Sequence, residues 1–221
     1  QVADADWPVV QMTLKADRLK ADQRLISPLT ALIETDDKKE NRLLIRELQG
    51  SCYGGSLAGS GWVDLHKSTY RLRLTLHDAA LQSIIDPESA RSEDTAPKTA
   101  RLSKGRIAAA LAVEGAVRDT TQRRGRGELR IRDAVMYELP LTLGLVHVVN
   151  LAVPTSGAFD RADIAYEIDE GLIRFKQLRF HAPSIEMVGS GTMRYETREL
   201  DLSLYARNPE GILIEPVLEL I

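Results

Sequence analysis

Eight residues, "YRLRLTLH" (Tyr70–His77), limit the fold more than any other feature of this 221-residue chain. Tyr70, Leu72, Leu74 and Leu76 alternate with Arg71, Arg73, Thr75 and His77. Successive side chains of a strand point to opposite faces, so the segment is apolar on one side and polar on the other. The same period of two recurs. In "ELRIR", Leu129 and Ile131 oppose Arg130 and Arg132. In "IAYEID", Ile164, Tyr166 and Ile168 oppose Glu167 and Asp169. In "IRFKQLRFH", Ile173 and Phe175 alternate with Arg174 and Lys176, and Leu178 and Phe180 then alternate with Arg179 and His181. In "LDLSLY", Leu200, Leu202 and Leu204 oppose Asp201 and Ser203. This is the signature of antiparallel sheet with one wet face. Aromatic residues are only 5% of the chain, so aliphatic side chains supply most of what the sheet buries.

Three segments read as helices. "DQRLISPLTALIE" places Leu25, Leu29, Leu32 and Ile33 on one helical face behind a cap at Asp22, with Pro28 as a kink or break. "DAALQSIID" is a short helix capped by Asp78 and stopped by Pro87. "ELPLTLGLVHVVNLAVP" has Pro140 in its first turn and Leu141, Leu145 and Val148 on one side, although its β-branched content also suits a strand. The stretch 86–100 is polar, carries Pro87 and Pro97, and reads as a flexible linker or long loop.

Glycine packs poorly in a strand interior, yet "LAGSGWVDL" and "MVGSGTMRY" both hold Gly-Ser-Gly in a strand-like context. Neither is followed by the Lys-Ser/Thr or the strand-to-helix step of a phosphate loop. A bulge or close backbone approach is the structural reading. Aligning the two copies matches Ile45 with Phe175, Leu48 with Leu178, Leu72 with Leu202 and Leu74 with Leu204. A partial third copy, "RRGRGELRIRDA", puts Gly125 and Gly127 in the glycine positions. Repetition of this kind means stacked supersecondary units.

Charge excludes some classes of function. Lys+Arg number 29 against 32 Asp+Glu, a net charge of −3, so no global basic field points to nucleic acid. The run Arg123-Arg124-Gly125-Arg126 suits a solvated hairpin face, or contact with phosphate or headgroups. Cys52 stands alone and reads as a small buried thiol, and His66, His77, His147 and His181 lack metal-ligand spacing. No cofactor is expected. No paired acid accompanies Arg71 and Arg73, or Arg130 and Arg132, so hydrolase or lyase chemistry is not expected either.

"YGGSLAGSGWVDLHKSTYRLRLTLHDAALQSII" resembles the repeat of AsmA-like proteins of the bacterial envelope, in which a Gly-Gly pair precedes a G-x-G strand, an alternating strand and a short helix. From "RRGRGELRIRDAVMYELP" to "LDLSLYARN" the chain is similar to the C-terminal region of that AsmA/TamB-type family, and together the resemblance spans roughly residues 45–208. It implies a β-groove with an apolar inner face, a periplasmic location tethered to the inner membrane by a segment absent from this sequence, and a part in phospholipid transport or outer-membrane homeostasis. Partners would be phospholipid or another acyl-chain lipid, envelope proteins or further repeats of the same chain, and no nucleic acid. The family's usual last strand is missing after "GILIEPVLELI", so a truncated chain is expected.

The expectation is therefore an α+β fold: mainly antiparallel, strongly twisted sheet or groove built from repeated strand units, with two or three covering helices. Residues 1–85 form a first repeat unit with an N-terminal helix, 86–100 a linker, and 101–221 the AsmA-like C-terminal region. Function is expected to be non-enzymatic, with acyl chains held against Leu72, Leu74, Leu76, Leu129, Ile131, Leu178, Phe180, Leu202 and Leu204. The alternative is a scaffold or protein-interaction module with a closed core, whose strand edges pair with neighbours.

Overall fold

Every alternating segment forms a strand, and the strands form one sheet. The computed structural model describes residues 10–21, 24–36, 41–85, 105–134, 159–183, 185–197, 199–207 and 213–220. Among them are thirteen strands. They are β1 (Gln11–Ala16), β2 (Leu19–Ala21), β3 (Arg24–Thr35), β4 (Arg42–Cys52), β5 (Gly55–Asp64), β6 (Thr69–Ala80) and β7 (Arg106–Ala116). There follow β8 (Arg124–Arg132), β9 (Arg161–Asp169), β10 (Leu172–His181), β11 (Glu186–Arg194), β12 (Leu200–Arg207) and β13 (Leu213–Leu220). All pairings are antiparallel, and strands consecutive in the chain are neighbours in the sheet, except that β1 and β2 share one edge of β3. The order runs from β1 to β13 without closing, so the sheet is open.

The class is thus nearly all β, not α+β with two or three covering helices. Among the described residues no helix reaches seven residues, and the single α-helix is α1 (Leu81–Ile85). The first expected helix is β3. Leu29, Ala31 and Ile33 face one way there, while Leu32 pairs with Thr13 and Glu47 on the other face, which breaks the helical stripe. A lone helix of this length is marginal in water. The strand instead forms ladders on both edges. Pro28 sits where the β3–β4 register slips between Ile26 and Leu29, so its missing N–H costs no ladder bond. In the second, Asp78, Ala79 and Ala80 finish β6, and Asp78 has φ 55° rather than the extended backbone of a cap. Only Leu81 to Ile85 turn helical. The third expected helix and the 86–100 linker lie outside the described residues. β6 and β7 pair directly across that stretch.

Register makes the apolar face continuous. One row of partners reads Leu14, Ala31, Leu48, Gly59, Leu74, Leu111, Gly127, Tyr166, Phe175, Gly191, Leu202 from β1 to β12. The row on one side runs from Met12 through Leu72 and Val113 to Leu200, and the row on the other from Ala16 through Leu76 and Leu129 to Leu204.

Four places in the sequence break the two-residue period by placing face residues three apart: Ile26 and Leu29, Ile45 and Leu48, Leu76 and Ala79, Phe175 and Leu178. Each coincides with a register shift, so an extra residue is absorbed as a bulge and the apolar face resumes in phase. The repeat is visible in the same registers. Ile45 pairs with Gly61, and Leu48 with Gly59, as Phe175 does with Gly191 and Leu178 with Gly189. Across the next ladder, Gly59 meets Leu74 and Gly61 meets Leu72, as Gly189 meets Leu204 and Gly191 meets Leu202. The glycines lie within strands, in β5, β8 and β11, and not at turns. A Cβ on Gly191 would fall 2.1 Å from the Asp201 carbonyl oxygen and 2.7 Å from the Leu202 Cδ2. Glycine is needed there because the neighbouring backbone and leucine already occupy that volume.

Candidate functional site

The three rows make the dominant surface feature. Each is eleven residues long, and none contains a charged side chain. Strand spacing near 4.8 Å and a rise near 3.4 Å per residue give a strip about 48 Å long and about 14 Å across its outer rows. Only Tyr166 brings a polar atom, and burial raises the pKa of its phenol, so it stays neutral at any ordinary pH.

The nine residues expected to contact lipid all fall on this face, but in two environments. Leu204, at 1% exposed, is buried with Ile131, Leu178 and Leu202 in a cluster that includes Leu81 of α1, Ile107, Phe159 and Met187. Phe180 packs at its margin, with its ring 6.0 Å from that of Phe159 at 63°, an edge-to-face contact. Leu72, Leu74, Leu76 and Leu129 are half-buried, Leu129 against that cluster. The buried cluster therefore runs along one long edge of the strip, from β7 to β12 with Leu81 of α1 among its members, while the rows toward Leu72 have no second layer among the described residues. At the β1 margin, Met12 and Leu14 are each 46% exposed.

Sequence reasoning missed β7, which contributes Ile107, Ala109, Leu111 and Val113 to the middle of the face. Ala108, Ala110 and Ala112 alternate with them, and alanine's ambivalence hides the period. Cys52 is buried at the end of β4, as a small core thiol would be.

The opposite face is a charge lattice. Arg71 pairs with Glu114 at 2.5 Å, Arg174 with Asp169 at 2.9 Å, Lys176 with Glu167 at 3.0 Å, and Arg124 with Glu170 at 2.6 Å. The Arg174 hydrogen bond holds the Asp169 carboxyl below the usual carboxylate range. The Arg42 guanidinium stacks 4.1 Å over Trp62. Among the described residues no three His, Cys, Asp or Glu side chains converge as metal ligands. No helix there is long and apolar enough to cross a membrane, which leaves spanning by strands open.

Two carboxylates are buried among the described residues, Asp64 beside Arg42 and Glu186. Glu186, 6% exposed, accepts a short hydrogen bond from Arg207, with Arg179 at 3.3 Å and His181 at 3.4 Å. His181 also approaches Asp163 at 3.9 Å. The Arg207 hydrogen bond, with smaller contributions from His181 and Arg179, lowers the Glu186 pKa from its ordinary 4.5. A carboxylate depressed in the folded state stabilises the fold above its unfolded pKa, and that stability is lost as pH falls through the folded value. Glu186→Gln is therefore expected to lower the urea midpoint at pH 7 and to flatten its decline below about pH 4.5, where the wild type loses this contribution. Unchanged midpoints across that range would show that the cluster contributes nothing.

Comparison of the chain with known protein families, curated proteins and solved structures finds no match in any of the three.

Proposed function

We propose that this chain is a non-enzymatic module of the AsmA-like type that shields phospholipid acyl chains on the apolar face of its sheet. One observation carries the reading: three adjacent rows cross eleven strands without a charge, and the buried cluster lies along one edge of them and leaves Leu72, Leu74 and Leu111 outside it. An apolar surface of this extent is a binding surface by default, since water solvates it poorly. Each methylene moved from water onto it contributes about 0.8 kcal/mol, so one chain of ordinary length binds without any polar recognition. Selectivity would then be for chain length rather than headgroup. A periplasmic location, tethering to the inner membrane and a role in phospholipid transport or envelope homeostasis rest on the sequence resemblance.

Native mass spectrometry of gently purified protein tests the reading. The expected spectrum carries phospholipid adducts, and delipidated protein regains them from mixed phospholipid. The pair Leu74→Glu and Leu111→Glu, both outside the buried cluster, is expected to cut uptake at least tenfold while strand circular dichroism is retained. A lipid-free wild type that takes up nothing would sink the proposal. The buried cluster around Leu204 favours a second reading, a scaffold whose apolar face is closed throughout. That scaffold would take up no lipid, and its mid-face leucines would be as costly to truncate as Leu204.

A further inference from the structure

The basic run at 123–126 is divided by the fold. Arg124 is held by Glu170 at 2.6 Å and lies 3.5 Å from Asp169, at the start of β8. Arg126 lies two residues further along the same face. It forms no ion pair or hydrogen bond among the described residues, and the register sets it beside Ala112 of β7. On the other side of Ala112 stands Arg73 of β6, which likewise has no ion pair or hydrogen bond among the described residues. The sequence separates these two arginines by more than fifty positions. The sheet brings them into one row, Arg73–Ala112–Arg126, with a methyl group between them.

Their surroundings form an open cleft of about 440 Å³ whose floor is Ala112. Two strand spacings put the Arg73 and Arg126 backbones about 10 Å apart, within reach of guanidiniums converging over the alanine. The carboxylates lining the cleft are already engaged. Glu114 is held by Arg71, Asp169 by Arg174, and Glu167, the neighbour of Arg126 across the β8–β9 ladder, by Lys176. Ion pairing across the cleft thus leaves two forked cations over an uncharged floor. Like charges directly flanking one position repel, and a bound anion relieves that repulsion. Planar guanidiniums match the spaced oxygens of phosphate in a bidentate manner.

We propose that Arg73 and Arg126 form a binding site for a phosphate-type oxyanion on the polar face. The site stands independently of the acyl-chain reading, because it lies on the other side of the sheet. A lipid lying on the apolar strip cannot present its headgroup there. The oxyanion therefore comes either from a soluble phosphate ester or from the headgroup of a separate membrane surface.

Isothermal titration with inorganic pyrophosphate is the test. The wild type is expected to bind saturably. Arg73→Gln with Arg126→Gln should weaken binding at least tenfold, and Arg73→Lys with Arg126→Lys should recover part of it. A control pair, Arg18→Gln with Arg118→Gln, removes the same charge from exposed positions elsewhere and should bind as the wild type does. Flotation with phosphatidic acid vesicles, against phosphatidylcholine vesicles, then separates the sources. Co-flotation lost in the Arg73/Arg126 variant assigns the site to headgroups, and pyrophosphate binding without co-flotation assigns it to soluble esters. No saturable binding by the wild type, or equal loss in the control pair, overturns the site.

Discussion

Leu204→Ala is expected to cost about 3–4 kcal/mol, the range for truncating a fully buried leucine whose surroundings cannot collapse. For a domain of this size that is a fall in Tm on the order of 10 °C. The side chain is 1% exposed, within the cluster of Leu81, Ile107, Phe159 and Met187, and it also covers Gly189, with Leu204 Cδ2 2.5 Å from where a Cβ on that glycine would stand. Leu74→Ala is the informative partner. It removes the same atoms from outside the buried cluster, where the side chain is only half-buried, so the cost should be about 1 kcal/mol. Thermal melts of delipidated protein read the difference. A gap of 2 kcal/mol or more marks a strip that is core along one edge and open beside it. Equal costs would mean that the whole face is sealed, and the acyl-chain proposal would fall with that result.

Gly191→Ala should be the second large effect, about 3 kcal/mol, at the upper end of what inserting a methyl into filled space costs. The added Cβ would meet the Asp201 carbonyl oxygen at 2.1 Å and the Leu202 Cα at 2.8 Å. Backbone does not swing aside as a leucine tip does, so the β11–β12 ladder must shift. Ser190→Ala, next in the chain and exposed on the polar face, should change stability by less than about 0.5 kcal/mol. Denaturant midpoints of the two variants decide between them. A Gly191→Ala protein as stable as Ser190→Ala would show that the glycine positions carry no packing constraint. Gly61, whose Cβ would meet the Arg71 carbonyl oxygen at 2.2 Å, should behave alike, because the first repeat unit has the same register.

Much of the fold was legible because a strand's two-residue period is written in side-chain polarity. Leu72, Leu74 and Leu76 could be assigned to one face before any partner strand was known, and the sheet places them there. The glycine repeat was legible for a related reason, since a residue without a side chain in an apolar run signals a filled neighbouring volume. What misled was spacing compatible with two periods. Leu25, Leu29, Leu32 and Ile33 fit a helix, and only the ladders to β1 and β4 make that segment β3. β7 was hidden because alanine sits on either face without preference.

The candidate sites divide in the same way. All nine face residues were readable from alternation, but which of them are core was not. Ile131, Leu178, Leu202 and Leu204 are buried in one cluster with Leu81 of α1, Phe159 and Met187, which strand pairing gathers along one edge of the strip. The Arg73–Ala112–Arg126 row was not readable at all, because register between distant strands sets it.

By itself, then, the sequence determined the local terms: extended backbone, one apolar and one charged face, and glycine wherever a neighbour fills the space. Tertiary structure decided the rest. Bulges returned the slipped apolar pattern to phase, strand pairing overrode a helical spacing, and the open order of the strands left the rows toward Leu72 without a second layer among the described residues. These outcomes depend on which strand lies beside which, and alternation alone carries no record of a strand's neighbours.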